Sequence, residues 1–120
     1  MELAMTPQKR IVLVQNDQYL IETRKALLEH QGYKVQAVHT VETARVVCRN
    51  LHCDLIIVDS EEDYDAAIRL CEEIKAEQPD MSVAVITWNE SELDSECPDE
   101  VIPRAKGPQV FLNKVRLALA

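Results

Sequence analysis

Asp54-Leu-Ile-Ile-Val-Asp59 is the stretch that decides how this chain reads. Its four aliphatic residues follow one another without a polar break, the pattern of a strand buried on both faces in a parallel sheet. The run ends on a carboxylate. An aspartate at the C-terminal tip of a buried parallel strand stands where open α/β sheets place their sites. Other segments have the same form. Ile11-Val-Leu-Val14 runs into Gln15-Asn16-Asp17, Ser82-Val-Ala-Val-Ile86 into Thr87, and Glu100-Val-Ile102 into Pro103-Arg104.

Strands and helices alternate along the whole chain, which argues for a parallel sheet covered on both faces. The expected strands are residues 10–15, 34–38, 54–59, 82–87 and 99–102, and the expected helices are 18–31, 41–51, 65–77 and 108–119. Gly32 suits a left-handed cap at the end of the first helix. Gln78-Pro79 stops the third, because the residue before proline is pushed out of the α region. Pro108 opens the last helix, where a missing N–H costs nothing. Met1–Lys9 is a polar leader without periodicity.

At 120 residues the chain is read as one domain, long enough to bury a single core. A formal charge of −8, with no local concentration of Lys and Arg, argues against a nucleic-acid surface. No signal-peptide pattern opens the sequence and no apolar run approaches membrane-spanning length, so the expectation is a cytoplasmic protein without membrane contact. With Gly32 and Gly107 as its only glycines, the chain has no Rossmann or Walker phosphate loop. Cys48 and Cys71 fall on helical core stripes, Ala44-Val47-Cys48-Leu51 and Ala67-Leu70-Cys71-Ile74, and read as core thiols. Cys53 beside His52 lacks zinc-finger spacing. None of His30, His39 and His52 is spaced with a nucleophile.

Taken together, the strand tips at Gln15-Asn16, Asp59, Thr87 and Arg104 resemble those of a response-regulator receiver domain, over nearly all of residues 9–119. The resemblance implies a flavodoxin-like (CheY-like) three-layer sandwich with strand order 2-1-3-4-5. It also implies that Asp59 is the phosphoacceptor position, that Gln15 and Asn16 stand where an acidic pair holds Mg²⁺, and that Thr87 and Arg104 stand where a hydroxyl and a lysine contact the phosphate. Val101 occupies the position of a switching aromatic. The partners so implied are a sensor histidine kinase or another signalling protein.

Several positions depart from the family pattern. Gln15 and Asn16 are neutral amides, and hard cations prefer carboxylate and water, so weak or absent Mg²⁺ binding is expected. Asp17 is turned from the pocket by strand alternation and belongs to its rim. Arg104 in place of lysine leaves two geometries open: its planar fork grips Asp59, or it points to solvent beside Glu61, Glu62 and Asp63. The expected pocket holds one carboxylate against one arginine, a net charge of about 0. Trp88 stands where the family prefers a small residue; either its indole narrows access to Asp59 or it faces outward. Glu61, Glu62, Asp63 and Asp65 form an acidic stretch without the glycine or ligand alternation of a calcium loop, a solvated rim. Sixteen residues separate Thr87 from Arg104. That is shorter than the receiver pattern by roughly one and a half helical turns, so the helix expected between the last two strands is shortened or missing.

These residues read as a degenerate or pseudo-receiver of two-component phosphorelay signalling, not an enzyme, needing no cofactor and acting as a regulatory protein-interaction module. Two alternatives stand beside it: a true phosphoacceptor at Asp59 with an atypical Mg²⁺ site, and a flavodoxin-like enzyme, for which no nucleophile–base pair is present. Val110 and Leu117 add a second apolar line to the last helix, beside Phe111, Val115 and Ala118, and point to a homodimer.

Overall fold

In a computed structural model, residues 8–60, 63–88 and 96–120 are described. Five strands, β1 (Arg10–Val14), β2 (Lys34–Val38), β3 (Leu55–Asp59), β4 (Ser82–Thr87) and β5 (Glu100–Pro103), form one parallel sheet of order β2-β1-β3-β4-β5. Among the described residues the helices are α1 (Gln18–His30), α2 (Val41–Asn50), α3 (Tyr64–Glu77) and α4 (Pro108–Leu119). The fold and strand order are those expected from the sequence, and element ends differ by a residue or two, as helix and strand ends do. The shortened or missing helix expected between β4 and β5 falls largely on residues 89–95, outside the described residues, as do Glu61 and Glu62 of the acidic stretch.

Period-two alternation along the strands builds two cores from one sheet. Val12, Val14, Ile56, Val58, Val83 and Val85 point to the layer of α2 and α3, where they meet Ala44, Cys48, Leu70 and Cys71. Their neighbours Ile11, Leu13, Ile57, Ala84, Ile86 and Ile102 point the other way, against Leu28, Phe111 and Val115 of α1 and α4. Because every strand between the edges is covered on both sides, β1, β3 and β4 read as continuous apolar runs.

Local chemistry fixes where each helix starts. Asp17, Thr40 and Asp63 accept from the backbone N–H of Leu20 (3.1 Å), Thr43 (3.0 Å) and Ala66 (2.9 Å), capping α1, α2 and α3. Helix α1 ends in a Schellman turn: Tyr33 N donates to Leu28 O and Gly32 N to Glu29 O, with Gly32 at φ 94°. Gly107, at φ 89°, turns the chain from a short 3₁₀ segment, Arg104–Lys106, into α4. The order of strands reverses between β1 and β3, so their carboxyl ends border the crevice where such sheets bind. Residues 15–17 and 59–60 stand at that crevice.

Candidate functional site

Asp59 ends β3, paired in register with Ile86 of β4. Its carboxylate is fully buried, at 0 % side-chain exposure. A carboxylate there must be matched by donors or cations, and three side chains supply them. Gln15, which continues β1 and is itself buried, donates from Nε2 to Asp59 Oδ2. The same amide accepts from Asp17 N through Oε1 at 2.9 Å, which fixes its orientation. Arg24 of α1 places Nη1 2.6 Å from Asp59 Oδ2. Arg104, just beyond β5, brings Nη2 against Asp59 Oδ1, as a charge contact and not as an aligned hydrogen bond.

Both arginines are withdrawn from water. Arg24 is 8 % exposed and lies on the inner face of α1 between Ile21 and Leu28. The Arg104 side chain is 9 % exposed, and its Nε finds no hydrogen-bond partner among the described residues. One face of its guanidinium is covered by Trp88, whose ring centroid lies 4.7 Å from Arg104 Cζ, a cation–π contact. Burial above all, and then the charge of Arg24, push the Arg104 guanidinium below its ordinary value. Its starting point is so high that it stays charged at neutral pH.

The geometry corrects one expectation. The pocket is not one carboxylate against one arginine: the described side chains touching Asp59 carry two positive charges against its one. Arg24 was missed because the sequence reading weighed only strand tips, although a charged residue between Ile21 and Leu28 on a core stripe is a visible anomaly. Of the two geometries open for Trp88, the structure shows the outward-facing one. Its side is open to solvent, at 67 % exposure, and it acts on the pocket through Arg104. For Arg104, the structure selects the geometry that grips Asp59.

The remaining positions take other places. Asn16 is exposed and lines, with His39, Ser60 and Asp63, a cleft of about 240 Å³ on the α2–α3 side of Asp59. Asp17 is the N-cap of α1, its carboxylate committed to the helix start. Thr87 is buried at the end of β4. Val101 is half-buried on β5 opposite Val85. Glu61, expected at the rim, lies outside the described residues. A second cavity of about 330 Å³, between α1 and α4, has Arg24 and Arg104 in its wall beside Leu20, Ile102 and Phe111.

The donor set does not fit a divalent cation. Both oxygens of Asp59 face nitrogen donors, Gln15 presents its amide nitrogen to Asp59 and commits its oxygen to the backbone, and two guanidiniums stand beside them. Mg²⁺ takes six hard oxygen ligands, usually with one or two carboxylates among them. Here the carboxylate of Asp59 is already engaged by these donors.

A family model of the response regulator receiver domain matches residues 11–98. Among solved structures, the response regulator TrrA of Thermotoga maritima, determined in complex with Mg(2+)-BeF, superposes with a TM-score of 0.84 at 24 % identity, covering 93 % of this chain and 100 % of that one. A CheY-like receiver domain protein of Methanospirillum hungatei JF-1 gives 0.80 at 23 % identity, with 94 % of each chain covered. A LuxR family DNA-binding response regulator of Silicibacter pomeroyi gives 0.74 at 28 % identity, covering 92 % of this chain and 90 % of that one. No curated protein sequence matches the chain significantly.

Proposed function

The chain belongs to the response regulator receiver domain family of two-component signalling, and from that premise we propose that it is a degenerate receiver whose acceptor pocket is held by arginines where a metal would be needed. It works as a regulatory protein-interaction module, with a sensor kinase or another signalling protein as partner. The family is in general a signalling module and not an enzyme. One observation carries the reading: the carboxylate of Asp59 is buried and already bound by Gln15, Arg24 and Arg104.

The chemistry follows from that cluster. To accept a phosphoryl group, Asp59 must present a free oxygen to phosphorus while a dianionic donor approaches. In metal-assisted transfer a cation bridges the two and offsets the developing charge. Here Arg24 and Arg104 neutralise the carboxylate and hold both its oxygens, so the nucleophile is tied down in the resting state. Breaking a buried ion pair by taking away one partner costs about 3–5 kcal/mol, and that cost adds to any barrier for transfer. TrrA was determined in complex with Mg(2+)-BeF; this chain is expected to bind neither.

The retention of Asp59 and of a buried Thr87 favours a second reading, in which Asp59 is a true acceptor and the guanidiniums bind the phosphoryl oxygens, as arginine forks do. One experiment separates the two: incubation of the protein with acetyl phosphate, in Mg²⁺ and separately in chelator, followed by intact mass. The proposal expects no phosphoryl adduct in either. A stoichiometric adduct in chelator, absent from Asp59→Asn, establishes the second reading. An adduct only in Mg²⁺ overturns both.

A further inference from the structure

We infer that Cys71 and Cys97 are an oxidisable dithiol, which a peroxide converts to a disulfide tying the segment that leads into β5 to helix α3. Cys71 lies on the inner face of α3, with no exposed surface, packed among Ala67, Leu70 and Ile74. Cys97 is half-buried against the same cluster. Their sulfurs are 2.6 Å apart, and both residues are thiols. A second link joins the same two segments: Lys75, one turn after Cys71, meets Asp99, two residues after Cys97, at 2.6 Å. Asp99 also accepts from Val83 N at 2.8 Å, which anchors that stretch to β4. The residues that follow the two cysteines are therefore tied to each other and to β4, and with the sulfurs already in contact bond formation needs no large backbone movement.

The two thiols have different parts in the step. Burial pushes the Cys71 thiol up, and its sulfur has no path to solvent. Cys97, the less buried of the two, meets the oxidant first. Its thiolate attacks one oxygen of the peroxide: the S–O bond forms, the O–O bond breaks, and the leaving hydroxide takes the thiol proton and departs as water, giving a sulfenic acid. The sulfur of Cys71 then attacks the sulfenic sulfur. An S–S bond forms, the S–O bond breaks, and a second water leaves with the proton of Cys71. Two electrons pass from the two sulfurs to the peroxide, so no other reductant or oxidant is required. The other close pair, Cys48 and Cys53, is buried at both ends, at 4 % and 3 % exposure, and serves as an internal control.

The full chain is treated with hydrogen peroxide, alkylated in denaturant without reductant, and examined by intact mass and peptide mapping. The expected result is the loss of two of the four thiols, with a link between Cys71 and Cys97. The crosslink closes a 26-residue separation, and constraint of the unfolded chain then raises Tm by roughly 14 °C, reversibly with dithiothreitol. Cys97→Ser abolishes both the link and the shift. Cys71→Ala does the same, and because Cys97 is only partly buried, its serine variant carries the test if the buried alanine variant does not fold. The inference is overturned if four alkylatable thiols survive the peroxide, if the link found is Cys48–Cys53 or between two chains, or if Cys97 gains oxygen without linking.

Discussion

Replacing Asp59 by asparagine changes one oxygen for one nitrogen, and the account assigns it a definite sign. In a pocket where the acceptor stands among other carboxylates, the substitution relieves like-charge repulsion and stabilises the fold. In this pocket it removes the negative charge that the two buried guanidiniums contact. The asparagine keeps one carbonyl oxygen, so one of the contacts from Gln15, Arg24 and Arg104 survives in weaker form while the two cations lose their counter-charge. Removing one partner from a buried ion pair costs about 3–5 kcal/mol; with one hydrogen bond retained, the lower end, about 3 kcal/mol, is expected. For 120 residues the entropy of unfolding is about 0.25 kcal/mol/K, so Tm falls by roughly 12 °C. The assay is thermal unfolding followed by circular dichroism near neutral pH. Arg24→Met in the Asp59→Asn background should recover part of the loss, with a coupling of about 1 kcal/mol or more. An unchanged or raised Tm in Asp59→Asn alone would refute the reasoning, because it would mean that the arginines do not depend on that carboxylate.

Gln15→Asp with Asn16→Asp should leave Tm indifferent to Mg²⁺, since Arg24 and Arg104 already engage Asp59 and pair as well with a carboxylate at position 15. Adding Arg24→Ala should make Tm rise with Mg²⁺, by about 10 °C when the ion reaches ~100 times its Kd; a double variant already responsive to Mg²⁺ counts against the arginines as the block. Leu117, 59 % exposed on α4 beside a half-buried Val110, is expected to mediate self-association, read by sedimentation as a dimer that Leu117→Glu dissociates and acetyl phosphate does not affect. A monomer at high concentration disposes of that surface. On the outer faces of α2 and α3, the hydrogen bond from Arg49, then its charge, hold the Glu77 carboxyl below its ordinary range. Because the folded value is the lower one, the pair's contribution is present above the unfolded pKa of about 4.3 and is lost as pH falls through the folded value. Carbon-detected NMR titration should show Glu77 returning to the ordinary range in Arg49→Gln.

Much of this architecture is legible without coordinates, for reasons that are local. Buried parallel strands such as Leu55–Asp59 are unbroken apolar runs, helix starts carry Asp17, Thr40 and Asp63 as caps, and Gly32 marks a helix end where only a positive φ closes the turn. The position of Asp59 follows from the same run. What surrounds its carboxylate does not, because it is assembled across long separations: Gln15 and Arg24 reach it from 44 and 35 residues away. The signal for Arg24 was present, a cation on the stripe Ile21-Arg24-Leu28, but its partner is set by how α1 lies on β3. Arg104 had two open geometries for the same reason. Trp88 was read by size, whereas its role is set by a neighbour 16 residues on that stacks against its ring. Cys97 carries no signal of its own in the sequence, and its contact with Cys71 exists only because the chain before β5 folds onto α3.

The claim at the centre of this account is that Asp59 is held by two guanidiniums and is not waiting for a metal. Side-chain NMR of the arginines tests it most directly, since a guanidinium fixed by a buried carboxylate rotates slowly about Cζ–Nη and shows separate Nη signals, whereas a free one shows a single averaged signal. Resolved Nη signals are expected for Arg24 and Arg104, persisting in millimolar Mg²⁺ and collapsing in Asp59→Asn. Averaged signals in the unmodified protein, or resolved signals that Mg²⁺ releases, would contradict it.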